Sequence, residues 1–294
     1  MPKAPLNIAA SVRARLLNHA RAQGQAFDLV LTRYALERLL YRLSRSPVAH
    51  RFVLKGAMLV MTWFEAPHRG TRDLDLLGFG DPDPEALVQV FREIMAADAD
   101  DGLIFDTDGL RAEPIREEVE YGGVRLRTRA TLDGARIAIN IDIGFGDALE
   151  PGAELIDYPV LLDLPPPRLR AYARETVVAE KFQAMVALGR ANSRMKDFYD
   201  VWVLARTYDF DPERLARAIA ATFARRETAI PAVPPDGLTP AFAADGAKQA
   251  QWRAFIEDLE LAPAALEEVL ADLRAFLMPH AARAGGLNAG PVTS

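Results

Sequence analysis

Residues 69–77 read RGTRDLDLL, and the reading of Asp73 and Asp75 within this stretch decides the fold. A strand needs apolar side chains on its buried face, and Leu74 and Leu76 supply them. The acids alternate with those leucines, so both carboxylates leave the same face, from positions roughly 6.5 Å apart along the strand. Two carboxylates so placed suit divalent cations, which stand about 3.5–4 Å apart in two-metal sites. A D-x-D pair alone is common, and solvated acids at a strand end account for most of them. The surroundings therefore carry the weight.

Upstream, RFVLKG reads as a short buried strand ending at Gly56, and AMLVMTWF as a helix leaving that glycine. A glycine between strand and helix either makes a tight turn or lets backbone N–H groups approach an anion. Downstream, TRDLDLLGF ends at the turn GDPDPE, and PEALVQVFREIMAA reads as an amphipathic helix with Pro84 in its first turn. VRLRTRATL then alternates, with Val124, Leu126 and Thr128 on one face and Arg125, Arg127 and Arg129 on the other. Asp133-Gly134 signals a hairpin. RIAINIDIGFGD alternates again: Ile137, Ile139, Ile141 and Ile143 point to a core, while Arg136, Asn140 and Asp142 share the polar face. Asp142 is thus a candidate third acid beside Asp73 and Asp75.

The flanks are helical. Residues 8–45 carry Leu29, Leu36, Leu39, Leu40 and Leu43 at helical spacing. PPPRLRAYARE reads as a linker into a second, helical half built from ETVVAEKFQAMVALG, MKDFYDVWVLARTYD, DPERLARAIAATFARR, QWRAFIEDLE and APAALEEVLADLRAFLM. The expected division is 1–165 for a strand-rich core with its N-terminal helices, 166–283 for the helical half, and 284–294 for a disordered tail.

The 294 residues are half hydrophobic and about a quarter charged, with a net charge of −6. That balance fits a folded domain and disfavours broad nonspecific nucleic-acid binding, though it leaves room for a local basic patch. The chain contains no cysteine, which removes disulfides and thiolate metal sites and suits a reducing cytoplasm. The opening residues lack the apolar core and cleavage site of a signal peptide. The most apolar stretch, FVLKGAMLVMTWF, is broken by Lys55, so no membrane span is expected. The four histidines are dispersed, without metal-ligand spacing, and no P-loop or nucleophile elbow is present.

Taken together, FVLKGAMLVMTWFEAPHRGTRDLDLL resembles the first motif of the AbiEii/AbiGii toxin family within the DNA polymerase β-type nucleotidyltransferases. That motif is a K-G-G strand end, a helix, then R-x-[ST]-x-D-h-D with h apolar. Lys55, Gly56, Arg69, Thr71, Asp73 and Asp75 match it, while Ala57 replaces the second glycine. INID resembles the strand bearing the third acid, at Asp142. AEKFQAM resembles the next motif, with its lysine at Lys181. SRMKDFYDVWVL resembles the last, R-x-K-D-h-x-D, with Arg194, Lys196, Asp197 and Asp200.

The resemblance implies an α+β fold: a nucleotidyltransferase core with a small mixed sheet flanked by helices, then a helical half completing an active-site cleft. It implies Mg²⁺, or Mn²⁺ in its place, held by Asp73, Asp75 and Asp142, and a nucleoside triphosphate as substrate. Lys55, Gly56, Ala57, Arg69, Thr71, Lys181 and Asp197 would serve the nucleotide, Asp197 by orienting Lys181, while Asp200 would support Arg194. It further implies a toxin countered by an antitoxin encoded nearby, with the tRNA 3′ end as acceptor. Arg125, Arg127 and Arg129 read first as a solvated strand face and second as a track for RNA phosphates. Two rival readings remain: the same fold phosphorylating a protein hydroxyl, on the antitoxin for instance, or a noncatalytic nucleotide- or RNA-binding module.

Overall fold

Between Leu132 and Ala135 the chain reverses through Asp133 (φ 45°) and Gly134 (φ 77°), two consecutive left-handed residues that suit the twist of a tight hairpin. This hairpin anchors the computed structural model, which describes residues 7–64, 70–115, 122–257, 259 and 265–288. The chain divides into two units, Met1–Gly146 with Glu154–Ala171, and Asp147–Ala153 with Tyr172–Ser294.

The first unit opens with α1 (Ile8–Ala22) and α2 (Phe27–Arg45). Strand β1 (Phe52–Lys55) runs directly into the short α3 (Gly56–Val60), and β2 (Asp73–Gly78) follows. Helix α4 (Pro84–Ala96) starts where sequence reading puts it: Asp83 accepts a hydrogen bond from the Ala86 N–H at 2.7 Å, and Pro84 fills the first position. Then come β3 (Ile104–Phe105), β4 (Arg111–Ile115), the hairpin strands β5 (Gly123–Leu132) and β6 (Ala135–Phe145), and finally β7 (Glu154–Asp157) and β8 (Arg168–Ala171).

These eight strands make one mixed sheet in the order β3-β5-β6-β2-β1-β8-β7, with β4 also pairing with β5. The β2–β6 and β1–β8 pairs are parallel, and the others are antiparallel. Residues 168–171, expected to be a linker, are instead a strand lying between β1 and β7. Three prolines before it and alternating arginines hid a segment whose Leu169 and Ala171 are buried.

The alternation expected of β6 is realised, since Ile139, Ile141 and Ile143 are wholly buried. Helix α2 packs on β6 and β8, α1 on β5 and α2, and α4 on α2 and β4. Burying the four isoleucines of β6 contributes on the order of 1.5–3 kcal/mol each. Beside this core, Asp101 (1% exposed) accepts from Arg38 Nε at 3.2 Å and from Arg42 Nη1 and Nη2 at 2.5 and 3.0 Å. Glu37, also on α2, accepts the Leu161 N–H at 2.8 Å, and burial pushes its carboxyl up to about 7.

The second unit is helical: α5 (Arg174–Leu188), α6 (Met195–Thr207), α7 (Pro212–Arg225), α8 (Pro240–Ala244), α9 (Gly246–Ile256) and α10 (Leu266–Asn288). Phe182 of α5 meets Phe223 of α7 with ring centroids 5.3 Å apart, and Phe198 of α6 meets Phe242 of α8 at 5.6 Å. Helix α8 starts at Pro240, and Thr239 caps it by accepting the Phe242 N–H. Helix α10 continues to Asn288 with Ala284 buried, so the first residues of the expected tail are helix. Residues 289–294 lie outside the described residues. Among the described residues, no helix is long and apolar enough to cross a membrane.

Candidate active site

Strands β2 and β6 run parallel with Asp75 directly beside Asp142 and Asp73 beside Asn140. Neighbouring strands lie about 4.8 Å apart, and in-register side chains leave the same face. The fold thus brings three carboxylates, two from one strand and one from the next, onto the face opposite the buried leucines and isoleucines. Leu74 and Leu76 are fully buried, while Asp73, Asp75 and Asp142 are half-buried. On the other side of β2, Lys55 at the end of β1 is in register with Asp75.

Gly56 explains itself here. Its φ is +70°, which L side chains rarely adopt, and a Cβ built on it would fall upon the Asp75 carboxylate and 2.6 Å from the Asp75 Cβ. The turn between β1 and α3 therefore passes so close beneath Asp75 that only glycine fits. Ala57, in the next position, is buried in α3 without strain of that kind. Thr71 precedes β2, and its hydroxyl lies 3.3 Å from the Asp73 carbonyl oxygen and 3.4 Å from the Asp73 N–H, bracing the start of the strand. Arg69 lies outside the described residues.

Two side chains on this face have partners that sequence reading missed. Asn140 donates its amide to Asp73 Oδ1 at 3.2 Å. Arg125, in register with Asp142 across the hairpin, donates Nε to Oδ1 at 2.6 Å and Nη2 to Oδ2 at 2.5 Å. This bidentate fork raises the Arg125 pKa above its ordinary value, and the charges of Asp142, Asp73 and Asp75 add to it against desolvation. Arg125 is thereby turned inward to Asp142 and not outward along an RNA track. Arg127 pairs at the surface with Glu113 at 3.1 Å, and Arg129 is exposed.

The metal expectation meets the same fork. Among the described residues, no three Asp, Glu or His side chains converge as a ready metal-binding group. Both oxygens of Asp142 accept from Arg125 instead. The donor chemistry of Asp73 and Asp75, hard carboxylate oxygens on one face, does fit Mg²⁺ or Mn²⁺. Asp142 joins them only where Arg125 releases an oxygen.

In the helical unit, Lys181 of α5 donates to Asp197 Oδ1 at 2.5 Å and pairs with Asp200 Oδ2 at 3.0 Å. All three are largely buried, at 14%, 8% and 0% side-chain exposure. Asp197 thus contacts Lys181 directly. Asp200 serves the same lysine, whereas Arg194, its expected partner, is exposed at the start of α6 together with Lys196. Asp197 and Asp200, three apart on α6, share the face that meets Lys181, while Arg194 stands at the N-cap with a non-helical backbone. Arg226, which follows α7, reaches Asp147 Oδ1 at 3.0 Å and, on α5, Glu180 at 3.2 Å and Gln183 at 3.0 Å. Burial alone would depress the Arg226 pKa, but the charges of Glu180 and Asp147 outweigh it and leave it raised.

A family model described as the nucleotidyl transferase AbiEii toxin of a type IV toxin–antitoxin system matches residues 38–277. The chain belongs to this family. It is accordingly a nucleotidyltransferase of a type IV toxin–antitoxin system, and an antitoxin partner is implied. No curated protein matches the chain. Two solved Helicobacter pylori structures are similar, one titled as a proposed nucleotidyltransferase and the other as JHP933. They share 16% and 17% identity, cover 87% and 88% of this chain and 95% and 96% of their own, and each has a TM-score of 0.46. That likeness is too remote to inform the chemistry.

Proposed function

We propose that this AbiEii-family toxin moves a nucleoside monophosphate from a nucleoside triphosphate to an RNA 3′ hydroxyl, with a tRNA end as the acceptor, in the cytoplasm. The observation that carries the reading is the register of Asp75 beside Asp142, with Asp73 two residues along, on the sheet face above Gly56. A bound Mg²⁺ would supply charge neutralisation at the phosphate oxygens. Asp73 and Asp75 would hold it. Gly56 and Ala57 offer backbone N–H groups without bulk, and Lys55 adds positive charge in register with Asp75. Asp142 would accept the proton of the attacking hydroxyl, at an oxygen that Arg125 gives up. Lys181, oriented by Asp197 and Asp200, would serve the triphosphate. Catalysis of this kind rests on positioning and charge neutralisation.

The acceptor reading draws support from the hairpin. Arg127 faces Asn140, Arg129 faces Ala138 and Arg136 faces Thr131, so three arginines run from the acids toward the Asp133–Gly134 tip on one face. From residue 125 to residue 131 that face extends roughly 20 Å, long enough for several nucleotides. The test is incubation with each labelled nucleoside triphosphate, Mg²⁺ and total bacterial RNA, followed by gel analysis. Label entering a discrete RNA band supports the proposal. With the label on the α-phosphate, incorporation into protein alone would move the acceptor from RNA to protein, and no incorporation with any nucleotide would refute the proposal.

A further inference from the structure

Of all the ion pairs on the sheet, the one between Arg125 and Asp142 stands out by position. It occupies both oxygens of the third acid and lies in register with Asp75 on the next strand. Glu113 of β4 also lies in register with Arg125, yet its carboxylate goes to Arg127. Arg125 therefore takes Asp142 over an acid that is equally available in register. Of the three acids Asp73, Asp75 and Asp142, two have a cation in register on a neighbouring strand, Lys55 beside Asp75 and Arg125 beside Asp142. Without cations there, like charges on adjacent strands would repel one another.

We infer that Arg125 is a resident counter-cation, a positioning residue that holds Asp142 in the metal-free chain and competes with a divalent cation for its carboxylate. The inference rests on the reading of Asp73 and Asp75 as cation ligands. A planar guanidinium takes one in-plane lone pair of each carboxylate oxygen with two parallel hydrogen bonds and offsets the charge, so a cation meets a neutralised carboxylate with only its outer lone pairs left. Arg125 is only about one-third exposed, so solvent screens the competition weakly. The consequence is a built-in threshold. Asp73 and Asp75 meet a cation first, and Asp142 joins only when that cation, with the substrate's own charge, displaces the guanidinium. Released from Asp142, the Arg125 side chain remains on the same face, where it meets an anionic substrate rather than a carboxylate.

The experiment measures Mn²⁺ binding without nucleotide, from the electron paramagnetic resonance signal of the free ion. It compares the wild type, Arg125→Gln, Asp142→Asn and the double variant. Arg125→Gln should bind Mn²⁺ roughly tenfold more tightly than the wild type, a coupling within the usual range for two ligands sharing a group. The gain should vanish in the double variant, because the freed carboxylate is gone. Equal or weaker binding in Arg125→Gln, or a gain that survives Asp142→Asn, overturns the inference. Should Arg125→Gln not fold, Arg125→Lys carries the test. Its single ammonium cannot span both oxygens, so binding should tighten about twofold or more, and unchanged affinity overturns the inference. Nucleotide transfer is not read here, so the two proposals fail separately. Normal transfer with unmoved Mn²⁺ affinity removes only the role of Arg125. Tightened Mn²⁺ binding in a chain that transfers nothing removes only the proposed reaction.

Discussion

Replacing Gly56 with alanine tests the contact at the centre of the candidate site, and the fold supplies its own control. Gly56 and Gly134 both have left-handed backbones, at φ +70° and +77°. A Cβ at Gly134 would meet nothing within 4 Å, whereas one at Gly56 would fall on the Asp75 carboxylate. Each substitution therefore bears the same conformational strain, about 1–2 kcal/mol. Only Gly56→Ala also forces a neighbour to move, at a further cost of about 1–3 kcal/mol. For a domain of this size each kcal/mol lowers Tm by roughly 2–4 °C. Gly134→Ala should thus lose several degrees, and Gly56→Ala clearly more. The second readout is activity: Gly134→Ala should transfer nucleotide like the wild type, while Gly56→Ala, with Asp75 displaced, should lose most of its rate. Thermal unfolding of both variants beside a transfer assay gives the answer. Matching Tm losses with full activity in Gly56→Ala would refute the claim that this glycine exists to clear Asp75.

Other substitutions extend the account. Asp73→Ala and Asp75→Ala should each abolish transfer with an intact circular dichroism spectrum and equal or higher Tm, since like charges are thinned; retained activity in either removes the cation assignment. Lys181→Ala removes the cation shared by the buried Asp197 and Asp200 and should destabilise the chain by about 3 kcal/mol in denaturant unfolding, with Asp200→Asn recovering part of it; an unchanged midpoint would make the triad irrelevant to stability. Glu37 has its carboxyl raised from 4.5 to about 7 by burial, so its contribution is intact below pH 4.5 and lost as pH rises through 7. Glu37→Gln should therefore gain stability relative to the wild type by up to about 3 kcal/mol at pH 8 and little at pH 5, and a pH-independent difference would contradict the shift. Arg127→Gln with Arg129→Gln should raise the KM for RNA and flatten its salt dependence while leaving the KM for nucleotide alone; unchanged values would mean a merely solvated face.

Much of the core was legible because its signals are local. The Ile137–Ile143 alternation, the Asp133-Gly134 turn and the Asp83-Pro84 helix start each lie within a few residues and survive into the structure unchanged. The strands that went unread are short, peripheral or interrupted: β4 contains Pro114, β3 has two residues, and β7 and β8 are four residues each and gain their regularity only from sheet pairing. The candidate site divides along the same line. Asp73 and Asp75 announce themselves by spacing within one strand. The Arg125–Asp142 fork and the Asn140–Asp73 bond depend on the register between strands, which no run of residues displays. The hairpin turn does fix that register: counting back from Asp133-Gly134 pairs residue 125 with residue 142, so the fork was within reach of the sequence once the turn type was committed. Asp200 differs again, because whether it serves Arg194 or Lys181 depends on how α5 and α6 are phased against each other.

The central claim, transfer of a nucleoside monophosphate at Asp73 and Asp75, is tested most directly by following two labels through one reaction. Nucleoside triphosphate labelled at the α-phosphate, and separately at the γ-phosphate, is incubated with Mg²⁺, total RNA and either the wild type or Asp75→Asn. The wild type should put α-label in RNA and release γ-label as pyrophosphate, and Asp75→Asn should do neither. Label from the γ-phosphate retained on RNA or protein, or α-label transferred equally well by Asp75→Asn, would contradict it.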